Sequence, residues 1–143
     1  MNDTMKYSYP VDGDNFMSAG EASADVKRIL RQLGFDSTVI RRTAIAMYEG
    51  EINMVIHAHG GVADVEISDE KITVVLKDEG PGIPDVDLAM SEGYSTAPDQ
   101  IRALGFGAGM GLPNMKKYTD DMHIDTEVGV GTTVTLTILN RKS

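Results

Sequence analysis

Cysteine is absent from the 143 residues, which excludes disulfides, thiolate zinc sites and thiol redox chemistry. Basic charge is scarce too: 13 Lys and Arg stand against 22 Asp and Glu, a formal net charge of -9. No basic stripe is there to neutralise phosphates, so a nucleic-acid partner is not expected. A nucleotide would have to be held by backbone N–H groups and a metal ion, with little help from a general positive field. No apolar run approaches the length of a membrane span. The opening MNDTMKYSYPVDGD has no apolar stretch behind basic residues, so no signal peptide is expected. The expectation is a cytoplasmic protein with no membrane partner. What is present, 41% hydrophobic and 24% charged residues, is ordinary globular composition. The length suits one domain, residues 1–143, with a real core.

Hydrophobic spacing predicts the elements. Residues 4–11 read as a short strand, ended by the turn-rich PVDGDN. Ala19, Ala22, Val26, Ile29, Leu30 and Leu33 fall on a helical stripe that Gly34 can stop. Asp36 or Ser37 can cap a longer helix running to about His57, with HGG as its C-terminal signal. Ala63, Val65 and Ile67, then Ile72, Val74 and Leu76, alternate with polar residues around SDEK and predict a β-hairpin. Periodicity fades from Gly80 to Gly111, where Pro81, Pro84 and Pro98 punctuate a long loop of the kind that serves as a lid. LPNMKKYTDD suits a short helix with Pro113 in its first turn. Strands at 122–128 and 132–139, joined by a GVG turn, end the series. Strands grouped in hairpins, with helices not alternating between them, predict an α+β two-layer sandwich: one sheet with helices on one face.

Four glycines at alternate positions, in GFGAGMGLPNMKK over residues 105–117, ask for a reason. Each costs conformational entropy on ordering, and a helix N-terminus offering unpaired N–H groups follows directly. The combination suits an anion, phosphate above all. It is not a P-loop, because no Gly-Lys-Ser/Thr occurs anywhere in the chain. Nor is it a dinucleotide fingerprint, since the third glycine falls out of register and no strand precedes it.

Three other segments carry chemistry. In AIAMYEGEINMVIHAHGG, Glu49 and Asn53 stand four apart and share a helical face. Ile45, Ile52 and Ile56 lie near that face, which suggests that it packs toward the sheet, with Glu51 nearly opposite. An inward carboxylate and carboxamide need partners. An Asn carbonyl with phosphate oxygens and waters suits Mg²⁺, and a neighbouring Glu suits a general base; taken alone, the same pair also fits a solvated helix face. In VVLKDEGPGIPD, Asp78 ends a strand and can accept from an exocyclic amine such as adenine N6, with Gly80 and Gly82 letting backbone pass close to a flat base. DEGPG is equally a good turn. In EVGVGTTVTL, Gly129 and Gly131 fit a hairpin, and a hydroxyl from Thr132 or Thr133 beside Asp78 would help to orient that carboxylate.

These four segments, in this order across about residues 38–138, resemble the GHKL (Bergerat-fold) ATPase superfamily of gyrase B, Hsp90, sensor histidine kinases and MutL. Glu49 and Asn53 match its E-x-x-x-N box, DEGPG its D-x-G-x-G box, GFGAGMGL its second glycine box and GVGTTV its G-T motif. The resemblance implies a single ATP-binding domain of the Bergerat type, with a mixed, mostly antiparallel sheet and a lid over about 83–104. Within the superfamily, YEGEINMVIHA, AMSEGYSTA and GMGLPNMKK look like the small bacterial anti-sigma factor and switch-protein serine kinases. At this length neither dimerisation–phosphoacceptor helices nor a transducer domain is expected. The resemblance then implies ATP and Mg²⁺ as cofactors and phosphorylation of a serine on a small STAS-type anti-sigma antagonist. It also implies a sigma factor as a further partner, and a homodimer. By position, Glu49 would be general base and Asn53 the Mg²⁺ ligand. Asp78 would contact adenine, Gly80 and Gly82 would line the base, and Thr132 would join the adenine-side network. Gly105, Gly107, Gly109 and Gly111 would lie along the phosphates.

The remaining candidates weigh less. His57 and His59 form an H-x-H, but residues two apart on a helix face apart, and the only other histidine is His123. His57 continues the Glu49–Asn53 row, which leaves a phosphate-side role open. Lys116 and Lys117, at the start of the last helix, either reach a triphosphate or are simply solvated. Met47, Met54, Met110 and Met115 are most simply flexible core filler. Two other functions stay open beside the kinase: a nucleotide-gated binding module that sequesters a regulator, and a stand-alone ATPase.

Overall fold

The sheet follows from alternation. The computed structural model describes residues 4–13, 19–58, 60–83, 86, 90 and 111–140. In chain order these form β1 (Met5–Asp12), α1 (Glu21–Gln32), α2 (Ser37–Ala58), β2 (Gly60–Ile67), β3 (Lys71–Asp78), α3 (Gly111–Lys117), β4 (Asp121–Glu127) and β5 (Gly131–Leu139). The five strands lie in the order β1-β2-β3-β5-β4, and all four pairings are antiparallel. The period-2 side chains align across them: Tyr7, Val65, Val74, Leu136 and Met122 form one inward row through the whole sheet. Fully burying side chains of this size contributes about 1.5–3 kcal/mol each. Pro10 has no N–H to give and lies on edge strand β1, where none is needed on the open side. The expected α+β sandwich is what forms.

The helix stripe predicted from Ala19 to Leu33 is shorter in the structure. Ala22, Val26, Ile29 and Leu30 are buried as expected, whereas Ala19 precedes α1 and Leu33, its C-cap, is 43% exposed. Gly34 does stop the helix. It adopts φ +80°, its N–H donates to the Arg31 carbonyl and that of Phe35 donates to Leu30, the pairing that ends a helix in a left-handed residue. Asp36 then caps α2, its Oδ2 accepting the Thr38 N–H at 3.1 Å.

The face of α2 toward the sheet is not the one expected. Val39, Thr43, Ala46, Met47 and Met54 are buried, whereas Ile45, Ile52 and Ile56 are only half-buried. The Glu49–Asn53 row therefore runs along the flank of α2 rather than into the core. Glu51, on the other flank, is 2% exposed because α1 covers it. The start of α1 has no side-chain cap of its own: Gly20 stands at the N-cap. Glu51 supplies one across the helix pair, Oε1 accepting from the Ala22 N–H at 3.0 Å and Oε2 from the Ser23 N–H at 3.2 Å. Met47, Met54 and Met115 are buried as core filler, while Met110 lies outside the described residues.

Candidate nucleotide site

Antiparallel pairing places the end of β3 beside the start of β5, with Asp78 opposite Thr132. Asp78 Oδ1 accepts two backbone N–H groups there, from Gly80 at 2.9 Å and from Thr132 at 3.1 Å. The Thr132 backbone orients this carboxylate directly; its hydroxyl does something else. Thr132 is buried, and its Oγ1 shares a 2.8 Å hydrogen bond with Oγ1 of Thr126, its cross-strand neighbour. Thr126 Oγ1 in turn accepts the Ile83 N–H at 2.9 Å. One network thus joins the end of β3, the loop after it and the β4–β5 hairpin. Thr126 was missed in the sequence, although the hairpin register sets it opposite Thr132.

The two glycines after Asp78 meet protein at close range. A Cβ on Gly80 would stand 2.6 Å from the Ala58 Cβ, at the end of α2. A Cβ on Gly82, at φ +80°, would stand 2.6 Å from the Glu127 carbonyl oxygen. The hairpin tip is also tied to this loop by the Gly129 N–H, which donates to the Pro81 carbonyl at 2.9 Å. Packing of the loop between α2 and the hairpin is therefore reason enough for both glycines. It also leaves the backbone after Asp78 without side-chain bulk, the shape a flat base needs beside it.

Helix α2 reaches this corner because it crosses β3 closely. Gly50 packs against the Leu76 side chain, two residues before Asp78, and Ala58 packs against Gly80. Glu49 and Asn53 stand one turn apart on this same half of α2, both half-buried. Burial pushes the Glu49 carboxyl above the usual carboxylate range, with no cation among the described residues to oppose the shift. A desolvated carboxylate is a stronger base than a solvated one, and an Asn carbonyl is a good oxygen ligand for Mg²⁺. The residues present fit an adenine nucleotide held by its amine at Asp78 and by a metal at Asn53.

Other sequence candidates fall elsewhere. Gly111 is the first residue of α3, which packs on α2. Gly105, Gly107, Gly109 and most of the lid at 83–104 lie outside the described residues, as do His59 and the His57 side chain. Among the described residues no group of three or more His, Asp or Glu side chains gathers into a metal site. Lys116 and Lys117 are exposed and occupy the last turn of α3, not its start, with the Lys117 ammonium 5.4 Å from the Tyr118 ring centre.

Known proteins resemble this chain in sequence and in fold. Residues 40–142 match the family model described as histidine kinase-, DNA gyrase B-, and HSP90-like ATPase. The serine/threonine-protein kinase RsbT of Bacillus subtilis is 29% identical over 112 residues, covering 76% of this chain and 78% of RsbT. The anti-sigma F factor of Clostridium beijerinckii is 30% identical over 127 residues, 83% of this chain and 85% of that one. Among solved structures, the RsbU and RsbW domains of a Mycobacterium tuberculosis protein superpose with a TM-score of 0.66. The match covers 97% of this chain and 34% of that longer one at 19% identity, a likeness of fold.

Proposed function

The chain belongs to the histidine kinase-, DNA gyrase B- and HSP90-like ATPase family, and from that membership we propose an ATP-dependent protein-serine/threonine kinase that acts as an anti-sigma regulator in a bacterial partner-switching circuit. Its substrate is a serine on a small STAS-type antagonist, its second partner is a sigma factor, and its working form is a homodimer. The relatives named as a serine/threonine-protein kinase and as anti-sigma F factors support this reading. The observation that carries it is Glu49: a half-buried carboxylate with a raised pKa, one turn from Asn53, on a helix braced against the strand that bears Asp78.

Bound Mg²⁺–ATP supplies the phosphoryl group; the chain supplies position and charge. Asp78, fixed through Oδ1 by two N–H groups, accepts from the adenine amine. The loop at Gly80 and Gly82 lies along the base, and Thr132 and Thr126 hold that loop to the hairpin. Asn53 would offer its carbonyl oxygen to Mg²⁺. Gly105, Gly107, Gly109 and Gly111 would lie along the phosphates, as the family resemblance implies. Glu49 takes the proton from the incoming serine hydroxyl, whose oxygen bonds to the γ-phosphorus as the bond to the β-phosphate breaks and ADP leaves.

The test is γ-labelled ATP with Mg²⁺, the protein and extract of its native cell, beside Glu49→Ala and Asp78→Asn. Label should appear on one small protein with the wild type. It should fall about 100-fold or more with Glu49→Ala, the range lost when a general base is removed, while ATP binding survives. Transfer by Glu49→Ala at the wild-type rate would overturn the assignment. Release of label to water alone would identify an ATPase instead, and binding without any transfer a nucleotide-gated module.

A further inference from the structure

The acidic balance of the chain has a local exception. Residues 27–42 hold five of its 13 Lys and Arg, against one carboxylate, Asp36. Two of the five are engaged within the fold: Arg28 with Asp25 at 2.7 Å and Arg42 with Asp120 at 3.5 Å. The remaining three, Lys27, Arg31 and Arg41, form no ion pair among the described residues, and all three line one groove of about 400 Å³ between α1 and α2. Its floor is apolar, from Phe35, Ile40, Ala44 and Ile45. Ile40 is buried at 6% exposure, whereas Phe35, Ala44 and Ile45 remain half-buried with nothing over them among the described residues.

We propose that this groove docks an acidic amphipathic helix of a partner protein. The apolar face of that helix lies on Phe35 and Ile45, and its carboxylates meet Lys27, Arg31 and Arg41. Lys27 and Arg31 stand one turn apart on α1, so carboxylates one turn apart on the ligand reach both. Charge selects the occupant. On a surface of net charge -9, an acidic helix is repelled from most of the surface and drawn to a groove where three cations with no ion-pair partner among the described residues stand together. Shape selects against the other anionic surfaces. A lipid bilayer takes up a protruding apolar face rather than filling a concave one, and nucleic acid presents charged phosphates to a floor that is apolar. The groove is lined by none of the residues assigned to the nucleotide corner and lies on the N-terminal half of α2. Ile45 nevertheless stands one turn before Glu49 on the same helix, so a docked partner lies next to that carboxylate.

The probe is a synthetic amphipathic peptide of about four helical turns, with Leu at i, i+3, i+4 and i+7 and Glu on the other face. Its counterpart has Lys for every Glu. Titrated into ¹⁵N-labelled full-length protein, the acidic peptide should shift backbone resonances of residues 27–45 and the lysine peptide should not. Lys27→Glu/Arg31→Glu/Arg41→Glu should weaken binding about tenfold or more. Lys6→Glu/Lys71→Glu/Lys77→Glu makes the same change in net charge on the helix-free face of the sheet and should leave binding within about twofold. A thermal melt of each variant establishes that it is folded. The proposal is overturned if the acidic peptide fails to bind, if its shifts map elsewhere, or if both triple variants weaken it equally. Tighter binding to phosphatidylglycerol vesicles or to duplex DNA at the same residues would overturn it in favour of those surfaces.

Discussion

In the proposed site, Asp78 has one carboxylate oxygen occupied by the fold and offers the other to the ligand. Oδ1 accepts both the Gly80 and the Thr132 N–H. In Asp78→Asn the amide oxygen can keep both bonds, but the second position changes from acceptor to donor. The variant should melt within a few degrees of the wild type, yet lose about 10- to 100-fold in affinity for fluorescent ATP, the worth of one hydrogen bond to a charged group. Unchanged affinity would remove Asp78 from the nucleotide site. Glu51 is the contrasting case, buried and wholly structural. Burial pushes its pKa above the ordinary value, and the Ser23 hydroxyl and the N–H groups at the start of α1 oppose this only in part. The folded state therefore holds the Glu51 proton more tightly than the unfolded state does. Its contribution to stability is full below the ordinary carboxylate pKa, declines as pH rises toward the raised folded value and is level beyond it. Asp25 runs the other way. The Tyr9 hydroxyl and Arg28 lower its pKa, so its contribution is lost as pH falls. Comparing wild type with Glu51→Gln cancels Asp25. The Gln amide turns a donor toward an N–H of Ala22 or Ser23, at a cost of about 1–3 kcal/mol. In urea unfolding, the wild-type advantage should shrink as pH rises through that window. An advantage that grows with pH would mean that the helix N-terminus, not burial, dominates Glu51.

Among the elements, the β4–β5 hairpin and the loop after β3 test whether space or backbone angle governs a glycine. Gly82 and Gly129 have nearly the same φ, +80° and +83°, but a Cβ on Gly129 meets nothing within 4 Å. Gly129→Ala should cost about 1–2 kcal/mol, the left-handed penalty alone. Gly82→Ala adds a clash with the Glu127 carbonyl, which is backbone and cannot rotate away. It should cost about 1–3 kcal/mol more, as overpacking does, and should loosen ATP binding, because the same loop follows Asp78. Equal midpoints in urea would show that the hairpin yields freely. The strands were legible because their burial has a period of two that no neighbour overrides: 4–11, 63–67 and 72–76 were all found within a few residues. α1 and α2 were legible in extent to within about two residues but not in orientation. α2 is covered by the sheet on one side and by α1 on the other, so its apolar residues go nearly all round and no single stripe marks the core. For that reason Ile45, Ile52 and Ile56 were misread as the inward row and the burial of Glu51 was not foreseen. Lys116 and Lys117 were placed at the wrong end of α3 because Pro113 marks a first turn without giving the helix length, and α3 has only seven residues.

At the scale of the molecule, the boxes proposed for the site could be named from sequence because each is a local pattern of short spacing: one helical turn from Glu49 to Asn53, two residues from Asp78 to Gly80. The groove between α1 and α2 was not readable. It joins residues of two helices, and a net charge of -9 hides five cations within sixteen residues. That uneven charge gives salt two opposite effects. The 22 carboxylates repel one another more when packed into the fold than when spread along the unfolded chain. The screening length falls from about 30 Å at 0.01 M to about 3 Å at 1 M, so added NaCl relieves most of that repulsion. The thermal midpoint should therefore rise by a few degrees between low salt and about 0.5 M NaCl, and should rise less in the Lys-for-Glu direction: a variant with Glu66→Lys, Glu70→Lys and Glu127→Lys, all exposed, starts nearer neutrality. Glu66→Lys also faces Lys6, so its loss of that 3.6 Å pair sets a small baseline shift to be subtracted at each salt concentration. Docking at Lys27, Arg31 and Arg41 should move the other way and weaken over the same range, because there the interaction being screened is an attraction. A midpoint that fell with salt would mean that the fold gains more from its few ion pairs than it loses to its surplus of acids.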